Sequence, residues 1–160
     1  MTLIRAIIKA QAWLDADNGA NRAEAVEILS RPEYVGAEAD VIAASMTGTF
    51  TFGPGDTRPA EGFNTFFDRH AGYPFYSDAV WFLTQMRRWG QLPESRPDAW
   101  YDETAKRVYL PETYLKAARL LVDEGKAKRE DFPWDSDGYR APTSEFIDGI
   151  EYDGRAPNAY

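Results

Sequence analysis

The chain has 160 residues, enough for one domain to bury a core without disulfides or metals, and 14% of them are aromatic. Its formal net charge of −8 argues against sequence-independent binding to nucleic acid or anionic lipid, which requires a basic face, but does not exclude a small anionic ligand held by a local cluster of donors. With no cysteine, thiol catalysis, thiolate metal sites and disulfides are excluded as well.

The opening MTLIRAIIKAQAWLD is amphipathic, with Arg5 and Lys9 inside its apolar stretch, so it reads as neither a membrane span nor a secretory signal. Leu3, Ile4, Ile7, Ile8, Gln11 and Leu14 trace one helical face that Asp17-Asn18-Gly19 ends. Asn21 opens a second helix with Glu24 in capping-box position, and Pro32 closes it after Ile28 and Leu29. A third short helix is expected from about Ala37 to Met46. Thr49-Phe50-Thr51-Phe52 alternates like a short strand before the turn cluster Gly53-Pro54-Gly55-Asp56. Phe63, Phe66 and Phe67 predict one or two helical turns.

The stretch Tyr73–Leu92 organises the rest. Ser77 is placed to cap a helix, Asp78 suits the dipole at its start, and Gly90 supplies the stop. Phe82, Met86 and Trp89 fall on one stripe, with Trp81 and Gln85 beside it, and this stripe is expected to face the core. Arg87 and Arg88 sit near the C-terminus, where cations are favoured. After Gly90 the chain reads as a loop through Pro93 and Pro97, and Arg107–Leu110 is too short to assign. Pro111 suits a first helical position, and Tyr114, Leu115, Ala118, Leu121 and Val122 carry the period to Gly125. The architecture expected is mainly α with minor β, a single domain or fragment over 1–160. It divides into a helical body over about 2–125 and a wrapping tail over about 126–160, in which Tyr139, Phe146, Ile150 and Tyr152 carry too much apolar area to stay in water.

No catalytic constellation is legible. His70 is the only histidine, and nothing beside it resembles a nucleophile elbow. Asp15–Gly19 and Asp135–Gly138 glance at calcium loops, but the glycine comes too early and Val26 or Phe146 occupies the place of the bidentate glutamate. Gly53-Pro54-Gly55 lacks the lysine and following helix of a phosphate loop. Among cations, Arg87, Arg88, Arg140 and Arg155 are the candidates for an oxyanion, weighed against salt bridges with the many carboxylates. No catalytic residue, metal ligand or cofactor is assigned.

The ordered pieces AIIKAQAWLD, NRAEAVEILSRPEYV, MTGTFTFG, YPFYSDAVWFLTQMRRWGQLP, YLPETYLKAARLL and FIDGIEYDGRAPNAY carry a family resemblance. Together they resemble the C-terminal part of the nitrate/bicarbonate family of ABC-transporter solute-binding proteins. The resemblance implies part of a two-lobed, type II periplasmic-binding-protein-like α/β fold that closes around a small oxyanion and delivers it to a permease. It further implies that the family's anion contacts, and the calcium of bicarbonate-type members, belong mostly to segments upstream of Met1, so no ligand-binding residue is transferred. The partners implied are the remainder of the binding protein, the transporter permease and the anion, with a homo-oligomer expected of an isolated fragment. The parent would be periplasmic or membrane-associated. A binding-protein-like sensor or regulatory domain of nitrate assimilation, cytoplasmic in the sensor case, is the alternative. An enzyme relative, the pyrimidine synthase of thiamine biosynthesis, depends on a cysteine-rich motif that this chain lacks.

Overall fold

A computed structural model describes residues 1–59, 63–143 and 149–160, and Phe146 lies outside them. Backbone contacts divide the chain into two compact units, residues 2–72 and residues 73–160, with Met1 grouped with the latter. The division therefore falls at Gly72, whereas the residues on either side of position 125 share one unit.

In the first unit, α1 spans Thr2–Gly19, with helical geometry broken at Ala16 (ψ 140°) and left-handed backbone at Asp17 and Asn18. The Asp-Asn-Gly signal thus ends the regular helix, since short polar side chains tolerate positive φ better than most. Helix α2 (Arg22–Leu29) and helix α3 (Ala39–Met46) follow. The capping role expected of Asn21 is not made: its amide instead donates to the Trp13 carbonyl at 2.8 Å, tying α2 to α1. Strands β1 (Thr49–Gly53) and β2 (Asp56–Pro59) form an antiparallel hairpin in the register Thr49↔Pro59, Phe50↔Arg58 and Thr51↔Thr57. Alternation sorts its side chains: Thr51 and Thr57 hydroxyls meet at 3.0 Å, while Phe50 packs on Phe63 with ring centres 4.3 Å apart. Ile8, Ala25 and Val26 are buried in this unit. The helical turns expected around Phe63–Phe67 are replaced by a 3-10 turn at Asp68–His70, in which Arg69 and His70 both adopt positive φ.

In the second unit, α4 spans Tyr76–Arg88, α5 Asp98–Val108 and α6 Pro111–Asp123. Helix α5 has no counterpart in the sequence reading, which gives a loop through Pro97 and leaves Arg107–Leu110 unassigned. Helices α4 and α6 stop as their glycines require. Gly90 adopts φ +75°, its N–H donates to the Arg87 carbonyl, and the Gln91 N–H donates to the Met86 carbonyl. Gly125 repeats this Schellman pattern at the end of α6. Pro111 opens α6, and Tyr114, Ala117, Ala118 and Leu121 form its buried face.

Two expectations for α4 are corrected. Phe75, not Ser77, occupies the N-cap position; Ser77 lies inside the first turn, fully buried, and its hydroxyl accepts the Arg140 backbone N–H at 3.1 Å. The buried stripe is Ser77, Val80 and Thr84, flanked by Ala79, whereas Phe82, Met86 and Trp89 are 60%, 37% and 76% exposed. The reason is steric and chemical. Small residues let α4 approach α5 closely, so that Ala79 and Val80 pack with Tyr101 and Ala105. Both buried hydroxyls find partners, Ser77 in the Arg140 N–H and Thr84 by donating to the Trp81 carbonyl at 2.7 Å. A second cluster is aromatic: Tyr73 stands edge-on to Phe75 and Tyr114, and Phe132 continues the series to Trp134.

The described tail residues are ordered against this unit. Tyr152 is buried, its hydroxyl donates to the Ser77 carbonyl at 2.6 Å, and its ring meets Trp81 edge-on. Backbone bonds between Thr143 and Tyr152 form an isolated antiparallel bridge. Tyr139 is half-buried and donates to Asp102, while Ile150 remains 44% exposed.

Candidate functional site

Each unit carries one polar constellation. In residues 2–72, Asp15 sits where α1 loses its helical geometry, and Arg22 opens α2 seven positions later. The Asp15 carboxylate accepts the successive backbone N–H groups of Phe66, Phe67 and Asp68 at 2.8, 2.7 and 3.1 Å on one oxygen. Its other oxygen takes the Arg22 guanidinium at 2.6 Å. Arg22 also donates to the carbonyls of Leu14, Met46 and Asn64 and lies over the Phe66 ring. Burial opposes the Asp15 charge, but the three N–H groups and Arg22 outweigh it and hold the carboxyl below its ordinary range. Three successive N–H groups on one oxygen form an anion-binding concavity that the chain fills with its own carboxylate.

A cleft of about 640 Å³ opens beside this hub, lined by Asn18, Gly19, Arg22, Thr47, Asn64 and Arg69 among others. Its charges cancel, Asp15 and Asp68 against Arg22 and Arg69. Arg22 is spent on the protein itself, and Arg69 reaches the Thr65 hydroxyl at 3.3 Å. The cleft is polar without the positive field that would draw an anion in.

In residues 73–160 the constellation fastens the tail to α4. Arg140 grips Asp78 with both arms of its fork, Nε to Oδ1 at 2.7 Å and Nη2 to Oδ2 at 2.9 Å, and lies 4.1 Å over the Phe75 ring. Arg155 pairs with Asp137 at 2.6 Å and covers the Tyr139 ring at 4.4 Å. The Arg155 pair and the Tyr139 backbone N–H pull the Asp137 carboxyl below its usual range. Tyr139 donates to Asp102; burial first, and that carboxylate second, raise its phenol well above the ordinary value. Gly138 lies against the Tyr76 ring, and its carbonyl accepts the Tyr76 N–H at 2.6 Å.

Of the four arginines singled out from the sequence, three therefore hold the fold together. Arg140 and Arg155 are spent on carboxylates, and Arg87 donates to the Asn158 side chain and the Tyr160 carbonyl in the tail. Arg88 is exposed beside Trp89. His70 is half-buried in the 3-10 turn. The two acidic stretches are turns: Asp137 accepts the Tyr139 N–H at 3.0 Å, and Asp17 and Asn18 make the bend that ends α1. Among the described residues no group of three His, Cys, Asp or Glu could hold a metal ion. The Asp15–Arg22 hub went unread because its N–H donors lie about fifty residues away, and a lone Asp before a Gly-containing bend looks like turn chemistry. Among these residues, too, no helix is long and apolar enough to cross a membrane.

Among the described residues the chain is mainly helical with one hairpin, and Arg22, Arg87, Arg140 and Arg155 are engaged within it. The solved structure of the periplasmic nitrate-binding protein NrtA from Synechocystis PCC 6803 matches it with a TM-score of 0.78 at 29% identity. That match covers 99% of this chain and 38% of the solved one. In sequence, the nitrate/nitrite binding protein NrtA of Nostoc sp. PCC 7120 is 30% identical over 99% of this chain and 33% of its own length. The bicarbonate-binding protein CmpA of Synechococcus elongatus PCC 7942 is 28% identical over 100% of the chain and 35% of its own length. The nitrate import ATP-binding protein NrtC of the same organism is 31% identical over 100% of the chain and 22% of its own length. No protein-family model matches. By fold and by sequence the chain is similar to part of the nitrate- and bicarbonate-binding proteins, and it spans about a third of their length.

Proposed function

We propose that the chain is a segment of a solute-binding protein for nitrate or a related small oxyanion, serving an ABC transporter and having no catalytic role. The observation that carries this reading is the continuous match, in sequence and in fold, over 99% of the chain to a nitrate-binding protein. The internal commitment of Arg22, Arg87, Arg140 and Arg155 supports a further point: the anion contacts are made by parts of the protein outside these 160 residues. The parent is periplasmic on this reading, as the Synechocystis protein is described to be, and its partners are the rest of the binding protein and a permease.

Calorimetry with nitrate, nitrite and bicarbonate tests the placement of the site. Exposed ion pairing is worth only about 0–1 kcal/mol, far short of the roughly 8 kcal/mol of micromolar binding, so the chain alone binds none of them in that range. Saturable micromolar binding by a monomer contradicts the placement. A second reading, a binding-protein-like regulatory domain attached to the transporter ATPase, is favoured by the match of the whole chain to 22% of the length of NrtC. The neighbouring reading frame separates the two: continuity with an ATPase domain supports regulation, and a separate permease and ATPase support transport.

A further inference from the structure

We infer that the outer face of α4, carrying Phe82, Met86 and Trp89, is a seat for further polypeptide of the same binding protein. The inference rests on the proposed function. Helix α4 buries Ser77, Ala79, Val80 and Thr84 and keeps Trp81 and Leu83 half-buried, while Phe82 and Met86, with Trp89 at its C-cap, stand exposed. The three lie at i, i+4 and i+7, on one stripe.

Two observations select the occupant. The relatives are about three times as long as this chain, so some two thirds of their polypeptide has no counterpart in these 160 residues. A second copy is a poor fit, because the three side chains leave roughly 300–400 Å² uncovered. A symmetric pair would then bury roughly 600–800 Å², below the ~1,000 Å² that a specific interface clears. The rim refines the chemistry. Arg87 is engaged by the tail at Asn158 and Tyr160, whereas Arg88 is exposed beside the stripe. The complementary surface is therefore apolar, with a carboxylate facing Arg88.

Hydroxyl-radical footprinting, read by mass spectrometry at Phe82, Met86 and Trp89, tests this. It compares the 160-residue chain with a hybrid in which the chain replaces the matched part of Synechocystis NrtA. The three positions oxidise readily in the chain alone, and their modification falls several-fold in the hybrid. Unchanged oxidation in a folded hybrid overturns the inference. So does protection in the chain alone, which means a second copy if sedimentation shows a dimer and the chain's own residues if it shows a monomer. A second measurement needs no hybrid: the paired substitution Phe82→Gln and Trp89→Gln, which puts no negative charge at the helix C-terminus, leaves the urea midpoint of the chain unchanged. A lowered midpoint shows that the stripe is already covered and overturns the inference. Nitrate binding by the hybrid is read separately. A protected stripe without nitrate binding removes the functional reading and leaves the seat standing.

Discussion

Replacing Asp15 with Ala removes the acceptor of three backbone N–H groups and the partner of Arg22 in one step. The carboxylate is 96% buried, since its side chain keeps 4% of its exposure, and Arg22 keeps 17%. Water therefore replaces the lost bonds poorly. Each orphaned buried donor costs about 1–3 kcal/mol, but the group relaxes together, so the net loss is about 3–5 kcal/mol, as for a broken buried pair. With m of about 1–3 kcal/mol/M, the urea midpoint falls by at least about 1 M. Asp15→Asn keeps one acceptor oxygen and loses the charge, for about 1.5–3 kcal/mol. The folded carboxyl titrates below its unfolded value of 3.8. Its contribution is thus complete above about pH 4 and lost as pH falls through the lower folded pKa, so the wild-type chain loses more stability in acid than Asp15→Ala does. Hydrogen exchange at Phe66–Asp68 reports the same event locally. A loss under ~1 kcal/mol in Asp15→Ala, or equal acid sensitivity in both proteins, refutes the hub as the organiser of this unit.

Tyr152→Phe, which removes the bond to the Ser77 carbonyl, costs about 0.5–1.5 kcal/mol in urea titration and leaves the tail docked. Tyr152→Ala costs about 3–5 kcal/mol and raises exchange at Tyr152–Tyr160. Phe82→Ala, at an exposed position, stays within about 0.5 kcal/mol of wild type, while Leu121→Ala, at 1% exposure, costs about 2–5 kcal/mol by the same titration. Burial first, and the neighbouring Tyr73 second, push the Tyr114 phenol up to about 12. Its contribution is full below pH 10 and lost as pH rises through about 12, so absorbance at 295 nm shows a late-titrating tyrosine whose ionisation coincides with loss of near-UV dichroism.

Punctuation was the most legible part of the fold. Gly90 and Gly125 end helices, Pro111 begins one, and Thr49–Phe52 is a strand beside a Pro-Gly turn, because these residues impose backbone geometry that no tertiary contact has to supply. Which face of a helix is buried is a tertiary property. The period correctly marked α4 as a helix but assigned its aromatic stripe to the core, since nothing local reveals that Ser77 and Thr84 find bonds inside. Helix α5 was hidden for a related reason: it buries only Tyr101 and Ala105, too few apolar positions to set a period among charged neighbours. The sequence leaves the arginines open between oxyanion binding and salt bridges, and for Arg140 and Arg155 the choice depends on Asp78 and Asp137, brought close by the fold.

Nitrate calorimetry on the hybrid, with this chain standing in for the matched 38% of Synechocystis NrtA, tests the central claim most directly. If the chain is a binding-protein segment whose anion contacts lie elsewhere in the protein, the hybrid binds nitrate with an affinity within about tenfold of the parent, a change of less than ~1.4 kcal/mol. A folded hybrid that has lost nitrate binding contradicts the account.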